Sequence, residues 1–466
     1  MALRRHNKKI ILILVTGIGL LLSCKKDFLN KIPSSDLVVP TTLDEFQALL
    51  DNDKVIQETP ELGELSADNY YLQYPFWQTL PVKEKNAYIW APDIYGGQGN
   101  VDDWDLPYTQ VYYSNLVLEG LPGIAIDSNH VEQWRWLQGT AYFVRAYAFY
   151  NQAQLFANVY GANAGTDAGI PLRLKSDPKA VYPRATVQAT YTQIINDLKQ
   201  AENLLPVTIP YADLNRPSKP AALAMLARVY LSMRDYTNAG LCADSCLQLY
   251  HVLMDYHTVK TQARPFTFEY FPASNTETIY QSHLLSNSGV FNGVGYPTLV
   301  DSNLYRSYAD SDLRKTMFYT TLLYGAPSIQ GSYSGTQFSF SGLATDEVYL
   351  IRAECSVRLG NKDSALNDLD TLLIKRWRPG SFVPYNSALS QTEVLDTVLT
   401  ERRKELAFRG LRWTDLRRLN ADNSNIILTR SLNGAIHQLL PTDPKLYIMP
   451  IPPDVITLGG ISQNQR

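Results

Sequence analysis

Cys24 is the residue of this 466-residue chain whose surroundings point most directly to chemistry. Four lysine and arginine residues lie between positions 4 and 9, and an uncharged, apolar stretch follows from Ile10 to Leu22. That stretch is shorter than the ~20 residues a helix needs to span a bilayer. A basic segment followed by a short apolar segment is typical of a secretory signal peptide. Ser23 before Cys24 resembles the bacterial lipobox, in which the thiol accepts a diacylglycerol. We therefore predict cleavage after residue 23 and a membrane anchor through lipid on Cys24; the alternative is an ordinary signal peptide with a chance cysteine.

The three other cysteines, Cys242, Cys246 and Cys355, lack the CxxC spacing of a zinc site or redox pair. Cys242 and Cys246 lie four residues apart on one predicted helix, where they could oxidise or hold a metal. We prefer to interpret them as small buried hydrophobic side chains, because free cysteine is among the most often buried residue types. No histidine has an acidic or cysteine partner at the spacing of metal ligands, so we predict no metal site.

The sequence contains none of the HExxH, GxSxG or P-loop patterns of common catalytic sites. The glycines of Gly96–Gly99 follow no predicted strand and are interpreted as a turn. Asp102, Asp103 and Asp105 could bind calcium together with Asn100, but they fall where a helix is predicted to begin, so we expect them to cap it. The paired carboxylates of a glycosidase can lie far apart in sequence, and no positive sign of them is present. We predict a protein without catalytic residues and without a cofactor.

Charge and composition narrow the possible partners. The formal net charge of −3 and the pI near 6.1 show no excess of positive charge that could bind the phosphates of a nucleic acid. We therefore predict no nucleic-acid partner. Tyrosine (30) is twice as common as phenylalanine (15), and there are 7 tryptophans. Tyrosine suits protein interfaces and platforms that stack on sugar rings, because its ring is apolar while its hydroxyl stays solvated.

Apolar side chains spaced by three and four residues predict a largely helical chain. Thr42 or Asp44 can cap a first short helix. Longer helices are predicted over Asp103–Leu121, Val131–Phe156, Thr186–Leu204, Pro220–Leu249, Thr345–Leu359, Lys362–Trp377 and Gln391–Arg409. Tyr70–Gly99 and residues 258–342 show no helical period and are predicted to form loops and short extended pieces.

An internal repeat lies within the helical regions. Ala227 is followed twelve positions later by Ala239, and Ala353 by Ala365, each time across a predicted turn. Small residues at these points allow paired antiparallel helices to approach closely, as in the tetratricopeptide helix-turn-helix unit. Generic packing of helical hairpins would produce the same spacing and remains the alternative.

The most specific motif runs from Glu401 to Arg418 and reads ERRKELAFRGLRWTDLRR. Other parts of the same pattern are the tail Tyr447–Leu458 with Gln463-Asn464 after it, Cys24–Leu29 and Trp104–Asn115. In combination these segments resemble the SusD/RagB family of outer-membrane nutrient-binding lipoproteins of Bacteroidetes.

Two positions depart from the family pattern. Arg409 replaces the acidic or amide residue usual before the glycine, and Leu411 stands where a polar or histidine side chain is common. Both positions look structural. The charged run itself is interpreted as a satisfied network of helix charges and caps rather than as a catalytic centre.

The resemblance implies a mostly α fold, with tetratricopeptide-like helix pairs as a scaffold and irregular loop-rich insertions. It also implies binding of glycans without catalysis and delivery to a SusC-like TonB-dependent transporter, at the outer membrane and facing the cell exterior. A peptide-binding lipoprotein of the same architecture is the first alternative. A lipid-anchored glycoside hydrolase and a purely structural scaffold are the others.

The chain is divided here into four segments that follow these patterns. Residues 1–23 are the signal peptide, residues 24–257 an N-terminal helical region, residues 258–342 a loop-rich insertion forming the ligand face, and residues 343–466 a C-terminal SusD/RagB region. The mature chain, residues 24–466, is expected to form one compact unit.

Ligand contacts are predicted in two aromatic-rich stretches. Flat aromatic faces complement the C–H surfaces of sugar rings, and neighbouring polar side chains can bind hydroxyl groups. The predicted contacts are Asp68, Asn69, Tyr70, Tyr71, Gln73, Tyr74 and Trp77 in the first stretch, and Phe291, Asn292, Tyr296 and Tyr333 in the second. Each could instead be a core anchor for its own loop. The remaining tryptophans, at positions 90, 104, 134, 136, 377 and 413, are assigned to packing.

Overall fold

Helices form most of the regular structure in the computed structural model, which describes residues 40–259, 267–269, 275–286, 288–291, 298–321 and 325–466. The α-helices of these residues are α1 Leu43–Leu50, α2 Asp53–Ile56, α3 Leu62–Ser66, α4 Tyr74–Thr79, α5 Val82–Tyr88, α6 Asp102–Gly120, α7 Val131–Phe156, α8 Val187–Leu204, α9 Lys219–Met233, α10 Tyr236–Leu249, α11 Ser302–Ser307, α12 Arg314–Met317, α13 Thr345–Arg358, α14 Lys362–Leu373, α15 Gln391–Glu405, α16 Arg412–Ala421 and α17 Pro453–Gly459. The predicted mostly α fold is confirmed.

The strands are short and form small sheets. They are β1 Glu58–Thr59, β2 Tyr70–Leu72, β3 Ala168–Pro171, β4 Arg184–Thr186, β5 Thr278–Tyr280, β6 His283–Leu284, β7 Thr298–Val300, β8 Tyr319–Thr321, β9 Pro327–Ile329, β10 Leu343–Ala344, β11 Leu428–Leu432 and β12 Ala435–Leu439. The largest sheet is antiparallel, in the order β2-β7-β9-β8, and joins the two aromatic-rich stretches. The other strands pair two by two, and β1 with β6 is a parallel pair.

The helix pairs of the predicted repeat are present. Helices α9 and α10 pack together, as do α13 and α14, and α10 also packs against α13, so that the second pair stacks on the first. The four alanines that mark the repeat, at positions 227, 239, 353 and 365, are fully buried. Close approach of the helices at these small residues is therefore confirmed, and the stacking favours a repeat over isolated hairpins.

Local signals set several helix boundaries. Thr42 and Glu45 form a capping box at the start of α1, because each side chain accepts a backbone N–H at the other residue. Helix α7 has the predicted bounds. Helix α15 ends at Glu405, earlier than predicted, because Phe408 (φ 62°) and Gly410 (φ 71°) take left-handed backbone conformations that a helix cannot continue through.

Two predictions of irregular structure were partly wrong. Tyr70–Gly99 contains α4 and α5, and residues 258–342 contain α11 and α12, none of which was predicted. The short strands β5 to β9 agree with the predicted extended pieces. Helices of four to seven residues are too short to display a 3.6-residue period, so a sequence pattern cannot reveal them.

Residues from Thr41 to Arg466 form one compact unit. Its main core joins α7, α9 and the four-stranded sheet, and smaller clusters lie between α13, α14 and α15 and between α1 and α7. The boundaries at residues 257/258 and 342/343 stay a prediction. The predicted signal peptide and Cys24 lie outside the described residues. None of the described helices combines the length and apolar character that crossing a membrane requires.

The three cysteines of the described part are free thiols in helices. Cys246 and Cys355 are buried and Cys242 is half-buried. Burial raises the pKa of Cys242 to about 11 and of Cys355 to about 12. These thiols therefore stay protonated at neutral pH, as expected for small hydrophobic side chains.

Candidate functional site

The first aromatic stretch presents one tyrosine to solvent and buries its neighbours. In β2 the side chains alternate, so Tyr70 and Leu72 point into the core while Tyr71 is 37% exposed. Gln73 follows, exposed and extended, and Pro75 occupies the first turn of α4, where a missing backbone N–H has no cost. The strand-to-helix junction thus places an exposed aromatic ring and an exposed amide next to each other.

Helix α4 adds two rings on one face. Tyr74 and Trp77 are three residues apart, and their rings stack with centroids 5.8 Å apart at an interplanar angle of 24°. The indole Nε1 of Trp77 donates to Lys85 O at 3.2 Å, and Gln78 Nε2 donates to the Tyr74 hydroxyl at 2.9 Å. Both rings are half-buried and fixed in orientation before any ligand arrives.

Tyr71, Gln73, Tyr74 and Trp77 are called the aromatic surface below. Leu72 of β2 pairs with Thr298 of β7, so residues 298–300 of the second aromatic-rich stretch lie beside this surface. Pre-oriented rings with adjacent amide groups can stack on a sugar ring and hydrogen-bond its hydroxyl groups. Asn292 and Tyr296, also predicted to bind ligand, lie outside the described residues.

Three aromatic residues predicted to bind ligand are buried, so the exposure assumed for them was wrong. Tyr70 is 1% exposed, and the edge of its ring contacts Phe291, which is 4% exposed, with centroids 5.1 Å apart. The Tyr333 hydroxyl donates to Glu277 Oε2 at 2.6 Å, and the Arg409 guanidinium lies 4.0 Å from the centroid of its ring. These residues are core anchors and leave the candidate site.

Asp68 and Asn69 are also turned toward the protein. Arg412 binds Asp68 through two hydrogen bonds of 2.6 and 2.9 Å. Burial alone would raise the pKa of Asp68, but Arg412 and Arg403 outweigh it and hold that pKa well below its usual value. Asn69 is fully buried and donates to Glu64 Oε1 at 3.1 Å, so its side chain is not available to a ligand. The Asp68 carboxylate is 21% exposed, with its oxygens bound by arginine.

Arg430 contacts buried aromatic residues next to the aromatic surface, and the sequence analysis did not identify it. Its guanidinium carbon lies 4.2 Å from the ring centroid of Tyr88, 5.0 Å from that of Tyr70 and 5.4 Å from that of Trp90. Its N–H groups donate to the carbonyls of Tyr70 and Ala67. The contact crosses more than 300 residues of sequence, so no local signal could have indicated it.

The charged run forms the expected structural network. Arg314 donates to Glu401 at 2.6 Å, to Glu405 at 2.9 Å and to Asp312 at 2.7 Å, and all four side chains are buried. Burial alone would raise the pKa of Asp312, but Arg314 lowers it below the usual value. Arg409, the departure from the family pattern, pairs with buried Asp346 at 2.7 Å. These charges pair with one another inside the protein.

The acidic residues around α6 do not form a cation site in the described part of the chain. Asp103 Oδ1 accepts the backbone N–H groups of Glu61 and Leu62 at 2.7 and 2.9 Å, and Lys83 lies 2.9 Å from its other oxygen. The expectation that Asp103 caps its own helix was wrong, because it caps the start of α3 instead. Burial, with Asp454 and Asp102 adding to it, raises the pKa of Asp105 to about 6.

The tryptophans assigned to packing lie in the core or against it. Trp90, Trp104 and Trp413 are 5% exposed or less. Trp134, Trp136 and Trp377 are partly buried and pack against the core clusters. Of the seven tryptophans, Trp77 is the one that belongs to the aromatic surface.

Comparison with known proteins relates the chain to a single family. A SusD-like family model described as "Starch-binding associating with outer membrane" matches residues 27–231, and the model of the SusD family matches residues 305–464. SusD-like protein P2 of Formosa agariphila is 26% identical over 419 residues, which cover 78% of this chain and 79% of that protein.

Solved structures show the same fold. A SusD superfamily protein from Bacteroides thetaiotaomicron superposes with a TM-score of 0.72 at 19% identity, covering 91% of this chain and 100% of that one. A laminarin-binding SusD-like protein superposes with a TM-score of 0.63 at 18% identity, covering 90% of this chain and 97% of that one. At such identities the likeness concerns the fold.

Proposed function

Because the chain belongs to the SusD/RagB family, we propose that it captures glycans at the outer membrane without hydrolysing them and delivers them to a SusC-like TonB-dependent transporter. The single observation that carries this proposal is the aromatic surface, in which the exposed Tyr71 ring lies beside the half-buried, stacked rings of Tyr74 and Trp77. The laminarin-binding relative and the starch-binding description of the first family model support a glycan as the ligand.

The geometry of the aromatic surface suits a sugar ring. The Tyr74 and Trp77 rings are already held by hydrogen bonds, so binding costs little side-chain entropy. Exposed Tyr71 and Gln73 supply a further ring and an amide beside them. Arg430 and the buried tyrosines behind β2 fix the backbone that carries these residues.

The direct test measures binding with matched variants. The purified protein is tested against an array of plant, microbial and host polysaccharides. We expect calorimetry to show saturable binding of at least one of them, and we expect no release of reducing ends, which would indicate hydrolysis. Tyr71→Ala and Trp77→Ala should each weaken binding about tenfold, equivalent to ~1.4 kcal/mol. Tyr211→Ala is the control, since Tyr211 is 38% exposed elsewhere on the protein, and should bind like the wild type.

Three outcomes would contradict the proposal. Binding of peptides alone would favour a peptide receptor of the same architecture, and turnover of a polysaccharide abolished by one carboxylate substitution would favour a glycoside hydrolase. Equal effects of the Tyr71 and Tyr211 substitutions would show that the aromatic surface is not the site. Thermal melts of all variants ensure that loss of binding is not loss of folding.

The proposed anchor and partner need separate experiments. Lipid on Cys24 should appear as labelling by a palmitate analogue that Cys24→Ala abolishes. A SusC-like transporter should co-purify with the protein from outer membranes, and Tyr71→Ala should leave this association intact because it removes only a ligand contact. Association lost in Tyr71→Ala would mean that the aromatic surface meets the transporter instead.

A further inference from the structure

Three segments of the chain that meet in the four-stranded sheet contain no charged residue. Residues 69–82 include β2, residues 278–300 include β7, and residues 316–345 include β8 and β9. Aspartate, glutamate, lysine and arginine make up 19% of the whole chain, yet none of them occurs in these segments. The strand order β2-β7-β9-β8 therefore brings uncharged sequence together in the sheet that adjoins the aromatic surface.

The charged residues that flank these segments are each held in an ion pair. A carboxylate or sulfate on a ligand would have to compete with the protein's own carboxylates for the cations among them. The pairs are Asp68 with Arg412 at 2.6 Å, Lys83 with Asp103 at 2.9 Å, Glu277 with Arg376 at 2.7 Å, Asp301 with Arg403 at 3.2 Å, Lys315 with Asp310 at 2.8 Å and Asp346 with Arg409 at 2.7 Å.

Two further groups could bring positive charge to the sheet, and neither presents it to solvent. His283 is the histidine within the segments, and its ring stacks on that of Phe338 with centroids 4.9 Å apart. Burial lowers the pKa of His283, so its ring is neutral at pH 7. Arg430 contacts the ring of Tyr70 on the core side of β2 and is 5% exposed.

The side chains of the aromatic surface suit an uncharged sugar better than an acidic one. The face of an aromatic ring carries partial negative charge, which attracts the C–H groups of a sugar and repels an anion. The amides of exposed Gln73 and Gln78 can both donate and accept hydrogen bonds, as sugar hydroxyl groups do. An anionic group held against these side chains would lose water without gaining a positive partner.

We infer that the glycan bound at the aromatic surface is neutral, built of sugar units without carboxylate or sulfate groups. This inference rests on the proposed glycan binding and narrows it to one chemical class. The observation behind it is the absence of charge from three segments that only the fold brings together.

Calorimetry of the full-length protein with two sets of polysaccharides tests the inference. The neutral set comprises glucans, mannans, xylans and galactans, and the acidic set comprises alginate, polygalacturonate, carrageenan and heparin. We expect saturable binding within the neutral set and none within the acidic set. The Kd should change less than about twofold between about 50 and 500 mM NaCl, because salt screens interactions between charges.

Two outcomes of this experiment have different meanings. Binding of an acidic polysaccharide at least as tightly as any neutral one, weakened about tenfold by the added salt, would overturn the inference and leave glycan capture intact. Binding of neither set would contradict the proposed function itself, and the inference would fall with it.

Lys85 supplies the variant that checks the same point within the protein. Its backbone carbonyl accepts the Trp77 indole N–H, and none of the described carboxylates pairs with its side chain. Lys85→Gln keeps the carbonyl and removes the charge, so the Kd for a neutral polysaccharide should stay within about twofold of the wild type. A loss of about tenfold with an unchanged Tm would show that the ligand needs a cation, and would overturn the inference.

Discussion

Two buried arginines stabilise the fold without a carboxylate partner among the described residues. Arg430 lies among aromatic rings, and Arg417 donates to the carbonyls of Ala153, Gln154 and Ala157 at the C-terminal end of α7. The helix dipole places partial negative charge there, which favours a cation. Burial lowers the pKa of Arg417 to about 10, yet it stays charged at neutral pH.

Arg430→Lys should destabilise the protein although the charge is kept. Lysine lacks the planar fork that stacks on Tyr88 while donating to two carbonyls, so we expect a loss of about 2 kcal/mol in the free energy of unfolding. Urea denaturation followed by fluorescence measures this. Arg306→Lys, at an exposed position, should change the same quantity by less than ~0.5 kcal/mol.

Asp105 should make stability depend on pH. Because its folded-state pKa is raised to about 6, its protonation favours folding, and this contribution is complete near pH 4 and lost as the pH rises through 6. Asp105→Asn should therefore stabilise the protein by about 1 kcal/mol at pH 8, after allowance for solvent screening, and change little at pH 4. Denaturation at both pH values tests this.

Asp363→Asn is the control for Asp105. Asp363 is exposed in the first turn of α14, so its substitution should bring no gain at pH 8. An equal gain in both variants would show that general surface charge, and not the burial of Asp105 and its repulsion by Asp454, governs the effect.

At the scale of elements, small residues set how closely the helices approach. Ala353 of α13 is fully buried in the cluster shared with α14 and α15. Ala353→Leu adds volume to a packed interface and should cost about 1–3 kcal/mol of stability, measured by urea denaturation. Ala189→Leu, exposed on α8, should be neutral within ~0.5 kcal/mol. A neutral Ala353→Leu would mean that the helix pairs are loosely packed.

At the scale of the whole molecule, buried ion pairs join segments that are distant in sequence. Arg314 of α12 binds Glu401 and Glu405 of α15, and Glu405 also pairs with Arg376 at 2.7 Å. The loop-rich stretch is thereby attached to the C-terminal motif. Removing one member of such a network takes a partner from charges that stay buried.

Arg314→Met should cost about 3–5 kcal/mol at pH 7, because three buried carboxylates lose their common partner. In the wild type the lowered pKa of Asp312 contributes stability above its unfolded pKa, and the contribution is lost as the pH falls through the folded value. The loss of unfolding free energy in the variant, relative to the wild type, should therefore become smaller as the pH falls. Lys315→Met, which breaks the neighbouring exposed pair with Asp310, should cost less than ~1 kcal/mol.

The helices and the family could be predicted because their signals are local or contiguous. The apolar spacing of Val131–Phe156 predicted the bounds of α7, and the Glu401–Arg418 run indicated the family. The start of α1 was predicted to within two residues, with Thr42 or Asp44 as the cap, and the structure has Thr42. Each signal depends on residues within a few turns of one another. The burial of the paired alanines followed from the same local spacing.

Which aromatic residues face solvent was decided only by tertiary structure. Tyr70 and Tyr71 are adjacent, yet one is 1% and the other 37% exposed, because pairing with β7 and the contact with Arg430 set which side of β2 faces the core. Phe291 and Tyr333 are buried by partners far away in sequence. Composition determined that the chain is rich in aromatic residues, but the orientation of each ring depends on long-range contacts that no local pattern encodes.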